Sequence, residues 1–199
     1  MKKKILIVLT ICLMMCGCGN KKNPVVTMEI KDYGTVVMEL YPKIAPNTVA
    51  NFVSLIEDGF YDNNNFHRLV PGFVLQGGDP KGNGTGGPGY AIKGEFVNNN
   101  YFNNTLSHST GVVSMARSQN NDSAGSQFFI VLDDKAKASL DNSYAGFGKV
   151  IEGLDIIKKI EDAALVDDNE TGKLKENIVI TKVTVDTFGE TYKVNKISE

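Results

Sequence analysis

The chain has 199 residues, 42% hydrophobic and 22% charged, with 20 glycines, 6 prolines and a formal net charge of −2; this make-up excludes collagen, coiled coil and low-complexity disorder. Its length suits one domain with enough chain to bury a core and leaves no room for a second large one. All three cysteines, Cys12, Cys16 and Cys18, fall within the first eighteen residues, so neither a disulfide framework nor a cysteine metal site holds the fold.

At the amino terminus, Lys2, Lys3 and Lys4 precede the apolar run Ile5 to Met15 and the small residues Gly17 and Gly19, the pattern of a secretory signal. The run is too short for a spanning helix, which needs about 20 residues. Leu13-Met14-Met15-Cys16-Gly17-Cys18 resembles the lipobox of bacterial lipoproteins, in which a signal peptidase cuts before a cysteine that has received a diacylglycerol. Gly17 favours Cys18 as the lipid attachment residue; Cys16, preceded by Met15, is the alternative, and plain secretion after cleavage competes with both. The expected division is a signal peptide over 1–17, the lipidated cysteine and a short tether over 18–24, a domain over 25–190 and a tail over 191–199. Cutting before Cys18 removes three lysines and no acid, which takes the formal charge from −2 to −5. A mildly acidic domain argues against nucleic acid as a partner. Two acyl chains anchor firmly. The tether Gly19 to Asn23 reaches about 17 Å at most, so the domain is expected close to the extracytoplasmic face of the cell membrane.

From Val26 the pattern has period two: Val26, Met28 and Ile30 alternate with Thr27, Glu29 and Lys31, and Val36, Met38 and Leu40 follow after Asp32-Tyr33-Gly34. This predicts a hairpin with one buried face. Pro46-Asn47-Thr48 then opens a run with Val49, Phe52, Val53 and Ile56 at helical spacing, started by proline and stopped at Gly59. Short apolar runs over Phe66 to Val70, Phe73 to Gln76, Val112 to Ala116, Phe128 to Leu132 and Phe147 to Ile151 lie between Gly, Asn, Asp and Pro clusters and predict strands. A second helix is expected from Leu154 to about Ala164, with Leu154, Ile157, Ile160 and Ala164 on one stripe, and Ile178 to Phe188 predicts a long closing strand. Many short strands, two helices and no βαβ rhythm predict a mainly β fold, a closed antiparallel barrel capped by helices.

Several motifs lack the context their chemistry needs. Gly77 to Gly89 holds seven glycines, and Gly82 to Gly87 matches G-x-G-x-x-G, but Pro88 and Gly89 stand where the phosphate-binding helix would begin. This stretch reads as a structured surface loop. Asp167 to Gly172 begins like a calcium loop but has Ile178 at the twelfth position, where Glu is needed, so a solvated turn is expected. His67 and His108 are the only histidines, with no carboxylates at ligand spacing; both read as hydrogen-bonded structural residues, and no metal or other cofactor is expected. No G-x-S-x-G is present, and the domain has no thiol beyond the anchor.

What remains is arginine, glutamine and aromatics where turns meet strands: Phe66-His67-Arg68, Phe73-Val74-Leu75-Gln76 and Gln127-Phe128-Phe129. Core packing accounts for some of the phenylalanines, whereas Arg68 and Gln76 need a partner or a ligand. The block Phe66-His67-Arg68-Leu69-Val70-Pro71-Gly72-Phe73-Val74-Leu75-Gln76-Gly77-Gly78-Asp79 resembles the signature of the cyclophilins, peptidyl-prolyl cis-trans isomerases. Ser114-Met115-Ala116-Arg117, Ser126-Gln127-Phe128-Phe129-Ile130 and Phe147-Gly148-Lys149-Val150 are similar to the family's other blocks in the same order, and the bacterial branch is the nearer one. The resemblance covers about Val26 to Phe188 and implies an eight-stranded barrel with two capping helices.

The resemblance further implies that Arg68 is the catalytic residue. Phe73, Val74, Phe129 and Leu140 are implied to line the pocket for the proline ring, Gln76, Gln127 and the backbone of Ala116 and Arg117 to bind the peptide main chain, and Tyr144 to complete the site. Val74 stands where many members have Met, and Tyr144 where eukaryotic members have His. Ser139 replaces the Trp of eukaryotic cyclophilins after a loop about two residues longer, which argues against tight cyclosporin binding. The expected partners are proline-containing chains, unfolded or exported, and the membrane; the expected state is a monomer, since barrel closure leaves no free edge. A non-catalytic, surface-tethered binding module for unfolded chains is the alternative.

Overall fold

The computed structural model describes residues 21–168 and 171–198; the signal sequence and the candidate anchors Cys16 and Cys18 lie outside the described residues, as do Asn169 and Glu170 of the acidic turn. Among the described residues nine strands and three α-helices follow in chain order: β1 (Val25–Ile30), β2 (Gly34–Leu40), α1 (Pro46–Glu57), β3 (Asn64–Val70), β4 (Val74–Gly77), β5 (Val112–Met115), β6 (Phe128–Val131), α2 (Lys137–Leu140), β7 (Gly146–Glu152), α3 (Leu154–Ala163), β8 (Val166–Asp168) and β9 (Lys173–Asp186). The sheet runs β1-β2-β7-β5-β6-β4-β3-β9-β8, and β1 also pairs with β9. That last pairing closes eight antiparallel strands into a barrel and leaves β8 as a flap on β9.

The expected hairpin is β1–β2, with Val26 against Met38 and Met28 against Val36, all four side chains buried. Helix α1 has no side-chain cap of its own. Instead the buried Glu95, far along the chain, accepts from the backbone N–H of Asn47 at 3.1 Å and of Thr48 at 2.7 Å, and from the Thr48 hydroxyl at 2.7 Å. This supplies acceptors, and negative charge, where helix N-termini leave N–H groups unpaired. The helix stops as expected, with Gly59 at φ +68°.

Helix α1 buries eight of its twelve residues and delivers Phe52 into the barrel's aromatic core. The Phe52 ring lies 4.9 Å from Tyr61, 5.4 Å from Phe128 and 5.0 Å from Phe147, and Phe128 also meets Phe66 at 6.0 Å. An eight-stranded barrel has just enough interior for such side chains to fill.

Four features depart from the sequence reading. Helix α2 is a single turn, too short to carry a period. Strand β8 spans three residues and owes its pairing to β9, not to any apolar pattern of its own. In α3, Ile157 and Ile160 are buried as expected, but Leu154, the first residue of the helix, is exposed. The closing strand begins earlier than expected, at Lys173, and ends at Asp186.

Truncation of Phe52 to alanine removes the ring on which three others pack, and a loss of about 3–5 kcal/mol is expected. Urea denaturation of Phe52→Ala against the parent chain measures it.

Candidate functional site

The site begins with an irregularity in β3. Arg68 and Phe66 are two residues apart, so in a regular strand they would share a face. Here the register shifts: Phe66 opposes Gly77 and Arg68 opposes Gln76, so His67 is an extra residue, a bulge. A bulge re-aims side chains. Phe66 enters the core while Arg68 turns outward, half-buried, beside Gln76 on β4. Strand β6 follows, with Gln76 opposite Phe129, and β5 brings Ser114 opposite Phe129.

The outward polar groups form one hydrogen-bonded row. Arg68 Nη1 donates to Gln76 Oε1 at 3.2 Å, Gln76 Nε2 donates to Gln127 Oε1 at 2.9 Å, and Gln127 Nε2 donates to the carbonyls of Gly86 at 2.9 Å and Gly84 at 3.1 Å. The guanidinium can only donate, so it fixes the orientation of both amides in turn. Arg68 Nε donates to the Thr171 carbonyl at 2.7 Å, and Nη2 makes no hydrogen bond among the described residues. Burial pushes the Arg68 guanidinium down from its usual range, partly offset by Tyr144; it stays charged at neutral pH.

The far end of the row is the glycine-rich stretch, and Asp79 organises it. Its fully buried carboxylate accepts from the backbone N–H of Lys81 at 2.7 Å, Asn83 at 3.0 Å and Gly84 at 2.6 Å. Burial alone would raise this carboxyl, but backbone N–H groups, that of Gly86 among them, outweigh it and hold the group below its usual range. Gly86 is obligatory, since a Cβ there would lie 1.9 Å from Asp79 Oδ1.

Beside the row lies an apolar cluster. Val74, Phe129 and Leu140 form one buried cluster against which Phe73, Ala116 and Tyr144 pack. The Tyr144 ring meets Phe129 edge-on at 5.7 Å. Behind it, His108 stacks on Phe129 at 6.3 Å; its Nδ1 lies 2.9 Å from Asp141 Oδ1 and its Nε2 3.0 Å from Ser114 Oγ. Asp141 also accepts from the His108 N–H and the Ser107 hydroxyl, and these bonds hold its carboxyl low although burial opposes them. An ionised Asp141 assigns the imidazole proton to Nδ1, leaving Nε2 to accept from Ser114. All ten sequence-predicted site residues are thus gathered on one side of the barrel.

Two residues depart from the sequence reading. His108 is the hydrogen-bonded structural histidine expected, but His67 is not: it is buried, and neither ring nitrogen has a hydrogen-bond partner among the described residues. The bulge turns it inward. Arg117 was expected to contribute backbone. Its side chain also has a task, donating from Nε at 3.1 Å and Nη2 at 2.9 Å to the Ser143 carbonyl while stacking on Tyr144 and Phe96, which braces Tyr144.

Sequence reasoning also missed a cavity of about 710 Å³ that is lined by four of the predicted site residues, Gln76, Ala116, Arg117 and Gln127. The glycine-rich loop forms one wall and residues 118–126 another. The density of glycine and serine in both stretches was the available signal, because small residues leave space.

The cyclophilin type peptidyl-prolyl cis-trans isomerase/CLD family profile matches residues 25–185. The chain is 46% identical over 133 residues to peptidyl-prolyl cis-trans isomerase B of Bacillus subtilis, covering 67% of this chain and 87% of that protein. It is 39% identical over 161 residues to a peptidyl-prolyl cis-trans isomerase of Helicobacter pylori, covering 73% and 94%. Among solved structures, a cyclophilin type isomerase of Cryptosporidium parvum, crystallised in the presence of the dipeptide Ala-Pro, superposes with a TM-score of 0.70 at 31% identity, covering 81% of this chain and 98% of that one.

Both histidines have pKa values lowered by burial, against the opposing pull of Asp79 on His67 and of Asp141 on His108. Below the ordinary value of 6.5 the unfolded chain takes up protons that the folded chain refuses, so stability falls as the pH drops through that value. The limiting slope is about 1.4 kcal/mol per pH unit for each histidine. Melting temperatures measured from about pH 7.5 to 5.5 are expected to fall, and the fall is expected to be shallower in His67→Leu.

Proposed function

The chain belongs to the cyclophilin type peptidyl-prolyl cis-trans isomerases, enzymes of X-Pro bond isomerisation, and on that footing we propose that Arg68 is its catalytic residue and that it speeds the folding of exported proteins at the outer face of the cell membrane. The observation that carries this reading is a charged guanidinium, anchored through Nε and Nη1, whose Nη2 makes no hydrogen bond among the described residues, beside an apolar cluster.

Rotation about an X-Pro bond is opposed by amide resonance, a barrier of about 18–20 kcal/mol, and takes tens of seconds or longer uncatalysed. No bond breaks, so neither a nucleophile nor a metal is needed. A catalyst must hold the proline ring, grip the flanking backbone and favour the twisted amide over both planar forms. In this reading the ring enters among Phe73, Val74, Phe129, Leu140 and Tyr144. Gln76, Gln127 and the backbone of Ala116 and Arg117 hold the main chain. Arg68 donates to the prolyl carbonyl and approaches the prolyl nitrogen, where a lone pair localises as resonance is lost. Its anchored fork is oriented before the substrate arrives, so little reorganisation accompanies the twist.

For the location, the support is the signal and lipobox pattern of residues 1–18 together with the fold's own start. Lys21 pairs with Glu190, and the Lys22 ammonium lies 4.9 Å from the centre of the Phe188 ring. Only Gly19 and Asn20 then separate the proposed anchor Cys18 from a fixed point, a reach of about 10 Å. Such an enzyme acts as a monomer on chains emerging beside the membrane, with Ser139 giving weak cyclosporin binding.

Arg68→Ala is expected to lower kcat/KM for a short X-Pro peptide by about 100-fold or more, the scale for removing a charged transition-state donor, as read by NMR exchange, while peptide binding falls much less. Equal exchange rates in the variant and the parent would instead favour a binding module. Cys18→Ala is expected to move the protein from the membrane fraction to the medium; retention on the membrane would overturn lipid anchoring at this position.

A further inference from the structure

Strand β3 changes its hold on β9 at the bulge. Before it, Asn64 opposes Ile180, Asn65 opposes Val179 and Phe66 opposes Ile178; the next pair is Arg68 with Lys173, two positions along β3 against five along β9. Beyond the bulge β3 is held by the β8–β9 hairpin. The Gly172 carbonyl accepts from the Leu69 N–H at 2.7 Å, and the Thr171 carbonyl accepts from Arg68 Nε at 2.7 Å. Consecutive carbonyls thus hold the strand's backbone and its arginine side chain. The hairpin is itself fixed: the Lys175 N–H donates to the Leu165 carbonyl at 2.9 Å, and Leu174 is buried in the core. Helix α3, which leads into it, holds the turn after β3, with Glu161 Oε1 accepting from the Gly72 N–H at 2.7 Å.

This approach is confined to glycine. Gly172 has φ +74°, and a Cβ there would lie 2.7 Å from the Leu69 carbonyl oxygen and 2.8 Å from Val70 Cγ2, both on β3. A backbone oxygen cannot swing aside as a side chain can, so any other residue would part the hairpin from β3.

The guanidinium has one anchor on each flank, Thr171 at Nε and Gln76 at Nη1. Two anchors fix the plane of the fork, whereas one leaves it free to turn about the remaining bond. We infer that the β8–β9 hairpin positions Arg68 for catalysis, with Gly172 as the residue that lets the Thr171 carbonyl reach Nε. The inference rests on the reading of Arg68 as the catalytic residue and adds to it what holds that residue. The apolar cluster is built from other elements, β4, β6 and α2, so a displaced hairpin costs the transition state its donor and leaves ground-state binding in place.

Gly172→Ala in the full chain is expected to lower kcat for an acetylated Ala-Ala-Pro-Ala tetrapeptide by about tenfold or more, the scale of a misplaced catalytic group, while affinity by NMR titration changes less than about twofold. Two readouts separate positioning from general damage. Arg68 and Arg117 are the only arginines of the sequence, so each Nε–H is resolved in a proton–nitrogen correlation spectrum. The Arg68 signal is expected to be lost to exchange with water and that of Arg117 to stay. In an Arg68→Ala background, Gly172→Ala is expected to lower kcat no further. An unchanged kcat, an equal loss in the Arg68→Ala background or an Arg68 signal as sharp as the parent's overturns the inference. Gly172→Asn, which takes a left-handed φ more easily but still carries a Cβ, is measured alongside. If neither variant folds, the hairpin serves the barrel and the inference fails. Parent-like exchange rates in Arg68→Ala alone would sink the catalytic reading, while the Nε–H signal still decides whether the hairpin holds the guanidinium.

Discussion

A carboxylate taken out of water is tolerated only where donors replace the water it lost. Asp79 has no exposed surface and finds its donors in the chain that follows it, the N–H groups of Lys81, Asn83 and Gly84. Satisfying one side chain therefore folds a whole loop. With the N–H groups turned toward Asp79, the carbonyls of Gly84 and Gly86 are free to accept from Gln127. The requirement passes along the row: Gln127 presents its oxygen to Gln76, Gln76 presents its own to Arg68, and the guanidinium stands in one orientation. Charge bounds the row at both ends, negative at Asp79 and positive at Arg68, so the intervening dipoles all point the same way.

The apolar half of the site has a different origin. It is built from the barrel's outward face on β4 and β6 and from the single turn of α2, and it is kept in place from behind by His108. A neutral imidazole bridging Asp141 and Ser114 ties the segment after α2 to strand β5, so Phe129, stacked on that ring, has a fixed backing. The two halves meet at Gln76 and Phe129, which oppose one another across β4 and β6. Each half is rigid for its own reason, and the site is their shared border.

Much of this was legible in the sequence, for reasons that differ by element. The β1–β2 hairpin and α1 follow from periodicity because each buries one continuous face, and the match of Val26 with Met38 is what alternation predicts. Arg68 and Gln76 stand out as polar side chains among aromatics, but the roles of the ten site residues were legible only through resemblance; nothing in their spacing reveals that Arg68 and Tyr144, 76 positions apart, belong to one site. Local pattern also misled where tertiary geometry overrides it. A bulge cannot be seen in Phe66-His67-Arg68, so the inward turn of His67 was invisible. Strand β8 has no apolar alternation to read, and the tail over 191–199 looks polar although Tyr192 and Val194 are held against the core. The glycine-rich stretch is legible as a loop, but its service as a cavity wall needed Asp79's donors to be located in space.

Closure of the barrel joins β1 to β9, with Val25 beside Asp186. The first strand to leave a ribosome or a translocation pore thus waits for the last before it has both neighbours, and α1, whose Phe52 anchors the aromatic core, has no finished interior to enter until then. Contacts this distant in sequence form late, because a long loop must first be closed. A growing chain short of residue 173 lacks the strand that seals its sheet. A protein whose work is to shorten other chains' waits has, in its own topology, an obligatory wait built in.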